Sequence, residues 1–133
     1  FRTMIGKFIS KENYERRFAI ADIHGCLATF KNLIYRIKLT NKDQLFLLGD
    51  YINRGPDSKG VMNYIMELQQ LGLQIYPIRG NHEQILLDSR GAKIAEPYYS
   101  FLNNLPYYYE TEDYFFVHAS IDFDSPEPFQ DTE

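Results

Sequence analysis

The sequence predicts an α/β fold, a mainly parallel sheet flanked by helices. Three observations predict it. Short apolar runs at 18–21, 45–48 and 73–78 have strand length and are bounded by turn signals. The segments between them carry apolar residues at helical spacing. Each interval is long enough for a strand–helix–strand crossover, which makes neighbouring strands parallel.

The elements follow in order. Residues 4–16 carry no clear pattern, and Ser10 to Arg17 reads as a polar surface loop. Phe18-Ala19-Ile20-Ala21 is the first strand and ends at Asp22. A helix follows Gly25, with Leu27, Phe30, Ile34 and Ile37 on one face and Lys31, Asn32 and Arg36 opposite. Cys26 reads as a small buried residue at its start. Thr40 to Asp43 is a polar turn, and Leu45 to Leu48 is the second strand. After a loop, Asp57 or Ser58 caps a helix whose buried face is Val61, Ile65, Leu68 and Leu71, with Tyr64 beside them. Gly72 stops it. Leu73 to Ile78 is the third strand, where Pro77 argues against a fully paired central position. Short helices are predicted at 82–89 and 98–105, with irregular chain at 90–97 between them. Tyr107 to Glu110 and Tyr114 to Val117 read as two strands joined by Thr111-Glu112-Asp113, and the tyrosines at 107–109 as strand packing.

With 133 residues and 44% hydrophobic content, the chain is expected to form one domain with a real core. Its net charge of −4 gives no footing for nucleic acid or a membrane surface. No apolar run approaches the roughly 18 residues that a membrane span needs. The single Cys26 excludes an internal disulfide and fits a reducing, cytoplasmic setting. Phe1-Arg2-Thr3 precede Met4 and read as a remnant ahead of the natural start.

Three strands each deliver a polar cluster into the loop before a helix: Asp22-Ile23-His24-Gly25, Gly49-Asp50-Tyr51-Ile52-Asn53-Arg54-Gly55 and Gly80-Asn81-His82-Glu83. A fourth strand ends at His118. Right-handed crossovers would bring the first three loops to one edge of the sheet, where open α/β sheets bind ligands. Asp22, His24, Asp50, Asn81 and His118 mix hard oxygen donors with imidazoles, a set suited to manganese, iron or zinc. Asp50 is the natural bridge between two ions, because its strand lies between the other two in sequence. Two ions about 3.5–4 Å apart can clamp an attacking hydroxide. Arg54 suits bidentate phosphate binding, and His82 suits protonation of a leaving alkoxide.

These clusters resemble the three signature motifs of the calcineurin-like metallophosphoesterases, most of all the bacterial serine/threonine phosphoprotein phosphatases. Val117-His118-Ala119-Ser120 resembles that family's next metal-binding histidine motif. The resemblance spans residues 18 to about 122 and implies half of the family's sandwich, a truncated version of the full fold. It implies that Asp22 and His24 bind the first ion, that Asp50 bridges both, and that Asn81 and His118 bind the second. It further implies that Arg54 and Asn81 contact the phosphate, that His82 is the general acid, and that a metal-bound hydroxide attacks in line without a phosphoenzyme. Two divalent ions, manganese foremost, are the implied cofactors. A phosphoprotein or small phosphoester is the implied substrate.

Three departures stand out. Asn53 replaces the usual aspartate beside the acid, so it can accept a hydrogen bond but brings no charge. Ser120 replaces the usual glycine after the His-Ala pair. The family's further metal-binding histidine and second phosphate-binding arginine lie downstream. Ending at Glu133, the chain is expected to hold an incomplete second metal site and to be weakly active or inactive. A second reading is a nucleotide phosphohydrolase of the diadenosine tetraphosphate type, which shares the first two motifs. Its third motif usually ends in aspartate, so Glu83 favours the protein phosphatase. A third reading, from another class, is a catalytically silent metal-binding module.

Overall fold

The computed structural model describes residues 6–9, 14–21, 23–52 and 57–118. Six strands are present there: β1 (Gly6–Phe8), β2 (Arg17–Ile20), β3 (Gln44–Leu47), β4 (Gln74–Pro77), β5 (Tyr108–Glu110) and β6 (Phe115–Val117). Four α-helices join them: α1 (Leu27–Ile37), α2 (Ser58–Gln70), α3 (Asn81–Arg90) and α4 (Tyr98–Asn103). One 3₁₀ turn, Gly91–Lys93, lies in the stretch expected to be irregular.

The strands form two three-stranded sheets, in the orders β2-β3-β4 and β1-β5-β6. The first is wholly parallel, with β3 in the middle. Ile20, Leu47 and Pro77 stand level in its register, so the loops that follow all leave from one edge. In the second, β1 runs parallel to β5, and β5 and β6 form an antiparallel hairpin. Thr111 closes that hairpin, its Oγ1 accepting from the N–H groups of Asp113 and Tyr114.

β3 is covered on both faces, which explains why all four of its residues are buried. Leu45 and Leu47 face the helices, packing with Phe30 and Ile34 of α1, Val61, Ile65 and Leu68 of α2, and Leu102 of α4. Phe46 points the other way and meets Tyr109 and Phe116 of the second sheet, stacked on Phe116 at 4.3 Å. Alternation along the strand therefore builds two cores from one element. At the opposite end of the sheet a polar ladder runs across all three strands: Arg17 donates to Gln44 (2.6 Å) and Gln44 to Gln74 (3.4 Å). Pro77 is tolerated because β4 pairs with only one neighbour among the described residues.

Three details correct the sequence reading. β1 was not visible in the pattern, because three residues around a glycine carry no periodicity. Leu71 is 70% exposed rather than buried, because α2 stops at Gln70 and Leu71 is its C-cap. Cys26 is exposed at the start of α1 rather than buried. Of the two cap residues the sequence offered, the Asp57 carboxylate caps α2, accepting from the Gly60 N–H at 2.7 Å, so that expectation holds.

Candidate metal centre

The loops after β2, β3 and β4 meet at the sheet edge. The first two are bound together by main-chain bonds: His24 N–H donates to the Asp50 carbonyl (2.8 Å) and Gly25 N–H to that of Tyr51 (2.7 Å). Both loops turn through the left-handed region, with φ of +47° at His24, +92° at Gly49 and +55° at Asp50. Non-glycine residues held in that region carry backbone strain, and such strain concentrates at functional sites. Gly49 is required there on two counts. Its φ favours glycine, and a Cβ would lie 2.8 Å from the Gly80 Cα and 2.8 Å from His118 Nδ1.

Glu83 ties the second loop to the third. It is fully buried at the third position of α3. One carboxylate oxygen accepts from the N–H groups of Gly80 and Asp50, both at 2.8 Å, and the other from that of Tyr51 at 2.9 Å. Burial pushes its carboxyl above the ordinary carboxylate range against the pull of those three donors, and the nearby Asp50 carboxylate adds to the rise. The Tyr51 hydroxyl is buried beside it and shared between the carbonyls of Leu47 and Ile78, at 2.8 and 2.7 Å. Burial likewise raises that phenol well above its usual value.

Asp50 occupies the middle of this frame. Its Oδ1 accepts from the His82 N–H at 3.1 Å, and its Oδ2 lies 3.1 Å from His118 Nε2. Ring atoms of His24 and His82 and a carboxylate oxygen of Asp50 all lie within 4.8 Å of one another. The two rings meet edge to face with centroids 5.6 Å apart. His118 reaches the same carboxylate from β6, with its Nδ1 2.7 Å from the Leu48 carbonyl. That acceptor assigns the proton to Nδ1 and turns the Nε2 lone pair toward Asp50. Two electron-rich atoms then face each other, an arrangement that a cation or a proton between them stabilises. Imidazole nitrogens around a buried carboxylate are a donor set that fits divalent transition ions.

Of the residues singled out in the sequence, His24, Asp50, His82 and His118 are thus brought together. Asn81 opens α3 beside His82 and is exposed. Asp22, Asn53 and Arg54 lie outside the described residues. Sequence reasoning gave Glu83 only loop support; its reach to Asp50 and Tyr51, more than thirty residues back, was visible only in the fold.

Comparison with known proteins agrees with this frame. The calcineurin-like phosphoesterase family profile matches residues 16–132. Over 71 residues the chain is 37% identical to a symmetrical bis(5'-nucleosyl)-tetraphosphatase of Nitrosospira multiformis, covering 53% of this chain and 25% of that protein. Over 85 residues it is 33% identical to serine/threonine-protein phosphatase 1 of Salmonella typhimurium, covering 63% of this chain and 37% of that one. The chain therefore spans about a quarter to a third of the length of the curated relatives it matches. A crystal structure described as a "putative diadenosine tetraphosphatase" superposes with a TM-score of 0.75 at 25% identity, covering 98% of this chain and 60% of that one. Three strand-end motifs in the family's order and a profile match over nearly the whole length point one way: the chain belongs to the calcineurin-like phosphoesterase family.

Proposed function

We propose that the protein hydrolyses phosphoanhydride or phosphoester bonds with divalent metal ions, and that its substrate is a dinucleoside tetraphosphate cleaved symmetrically. The chemistry is carried by one observation: Asp50 lies against His24, His82 and His118 at the edge where the parallel strands end. The substrate class is supported by the likeness to symmetrical bis(5'-nucleosyl)-tetraphosphatases and by the superposition described above.

His24, Asp50 and His118, with Asp22 and Asn81, would hold the ions, and manganese is the preferred one. Bound ions of this kind supply an activated water and offset the charge of the phosphate. The chain's own groups do the rest. Asp50 is fixed from three sides: its N–H by Glu83, its Oδ1 by the His82 N–H and its carbonyl by the His24 N–H. His82, in the first turn of α3, would give a proton to the leaving oxygen. Arg54 and Asn81 would bind the phosphate, and Asn53 stands at the motif position where the family usually has aspartate.

A second reading, hydrolysis of phosphoserine or phosphothreonine, is favoured by Glu83 at the end of the third motif and by the likeness to the Salmonella phosphatase. The two separate by product. Diadenosine tetraphosphate and manganese should yield ADP alone, with little phosphate released from a phosphoserine peptide. Equal amounts of AMP and ATP would refute symmetrical cleavage, and faster turnover of the peptide would establish the second reading.

A further inference from the structure

A cavity of about 370 Å³ opens between α2, α4, the outer flank of β4 and the second sheet. No residue placed in the metal centre lines it. We propose that it binds a small monocarboxylic acid with an aromatic or branched aliphatic body, the carboxylate held between the Lys7 ammonium and the Tyr109 hydroxyl.

Three observations converge on this. First, Tyr109 is only 4% exposed, yet its hydroxyl makes no hydrogen bond among the described residues. Its ring is fixed by edge-to-face packing on Phe46 and Tyr76, with centroids 5.8 and 5.4 Å away. Every fully enclosed side-chain oxygen among the described residues has a partner. The unbonded Tyr109 hydroxyl therefore opens on to space, and this cavity is the space that Tyr109 lines. Burial pushes the phenol upward from its usual value, so it is a donor at neutral pH. A donor already fixed in place gives a bound carboxylate a charge-assisted bond at little ordering cost.

Second, Lys7 is the neighbour of Tyr109 in the register of β1 and β5, and side chains so paired point to one face of the sheet. It is the one charged side chain in the cavity wall and makes no ion pair among the described residues. A single cation beside a single hydroxyl donor matches a monoanion with two oxygens. A phosphate dianion would leave both charge and acceptors unmet there. The Ser100 hydroxyl of the wall is already engaged by the Glu96 carboxylate. Third, the body of the wall is apolar, with Met66, Phe101, Leu105 and Pro106 in it. An apolar wall with few polar groups is the makeup of a small-molecule site, and the volume lies at the small end of that range.

The outer flank of β4 decides against an extended peptide. Ile78 donates its N–H to Leu47, so alternation turns Ile75 and Pro77 outward. Pro77 has no N–H. The Ile75 N–H is taken by the Leu73 carbonyl at 3.1 Å, and its own carbonyl accepts from Gln69 Nε2 at 3.2 Å. An added strand would find no free donor along that flank.

The test is a titration of 3-phenylpropionate into the full 133-residue chain with a chelator present, read by backbone amide ¹H–¹⁵N shifts. Saturable shifts are expected at Lys7, Gln69, Leu105 and Tyr109, with a Kd of about 1 mM, ordinary for a fragment of this size. The neutral isostere 3-phenylpropanamide and the dianion phenyl phosphate are each expected to bind at least about tenfold more weakly. Tyr109→Phe should weaken 3-phenylpropionate by at least about tenfold. Its Tm should change by less than about 2 °C, because no protein partner is lost. Lys7→Gln should weaken binding by at least about fivefold. Four outcomes would overturn the proposal: no saturation up to about 10 mM, shifts centred on the histidines of the metal centre, equal binding of the amide or the phosphate, or unchanged affinity in either variant. None of these readouts uses catalysis, so they do not depend on which substrate is cleaved.

Discussion

Replacing Glu83 by glutamine changes no side-chain volume to speak of and removes one acceptor from the centre of the site. The carboxylate accepts three main-chain N–H groups: Gly80 and Asp50 on one oxygen, Tyr51 on the other. The best placement of an amide keeps its oxygen on the Gly80 and Asp50 donors and sets its NH₂ against the Tyr51 N–H. Two charge-assisted bonds then become neutral ones, each losing about 1 kcal/mol, and one buried donor is left unmet at about 1–3 kcal/mol. The opposite flip is worse, because it leaves two donors unmet. Against this, glutamine relieves the burial of a charge, the same cost that pushes the Glu83 carboxyl upward. The net loss is about 2–3 kcal/mol. For a chain of this length, that corresponds to a fall in Tm of about 6–15 °C. Because Asp50 sits in the left-handed region and is held there by Glu83, manganese affinity should fall as well. Thermal unfolding by far-UV circular dichroism and calorimetric titration with manganese read the two effects. A Glu83→Gln protein that melts within about 1 °C of the parent and binds manganese equally would refute the claim that Glu83 holds the Asp50 loop.

Three further outcomes are expected. Gly80→Ala places a Cβ against the Asp50 N and Oδ1 and 2.8 Å from a Glu83 oxygen; it should cost about 1–3 kcal/mol and weaken metal binding, seen as a lower Tm and a higher Kd for manganese. The Arg16 guanidinium, which donates two hydrogen bonds to Asp43, holds that carboxyl below its usual value, and the Thr40 N–H adds to the effect. A depressed folded-state value means that the stabilisation is complete above the unfolded carboxylate value near about 4 and is lost as pH falls below it. Asp43→Asn should therefore lower Tm at pH 7 and flatten its further fall between pH 4 and pH 2, measured by thermal melts across that range. Asn53→Asp, which restores the charge usual beside the family's acid, should raise kcat above pH 7; an unchanged rate profile would show that Asn53 does not act on the acid.

Much of the fold was legible because its local signals agree with its tertiary packing. The runs ending at Asp22, Asp50 and Gly80 are short, apolar and followed by helical spacing, so parallel pairing followed from interval length. What was not legible depends on distant chain. Gly6-Lys7-Phe8 becomes a strand only because Tyr108-Tyr109-Glu110 lies beside it. Leu71 continues the helical period, yet Gly72 ends the helix in time to leave it exposed. The site divides in the same way. His24, Asp50, His82 and His118 were recognisable from residue type at strand ends. Glu83 was recognisable only as an N-terminal helix residue, because its partners at Asp50 and Tyr51 come from another loop. The sequence reading preferred a phosphoprotein substrate on the strength of Glu83; likeness to the tetraphosphatases moves the preference to dinucleoside polyphosphates.

The most direct test of a metal-dependent phosphoesterase centred on Asp50 is hydrolysis of para-nitrophenyl phosphate by the parent chain and by Asp50→Asn, with manganese and after its removal by a chelator. Turnover should require manganese, should return when the metal is restored, and should fall by at least about a hundredfold in Asp50→Asn, a loss of roughly 2.7 kcal/mol in transition-state stabilisation. Turnover that survives both the chelator and the substitution, in a variant that remains folded, would contradict it.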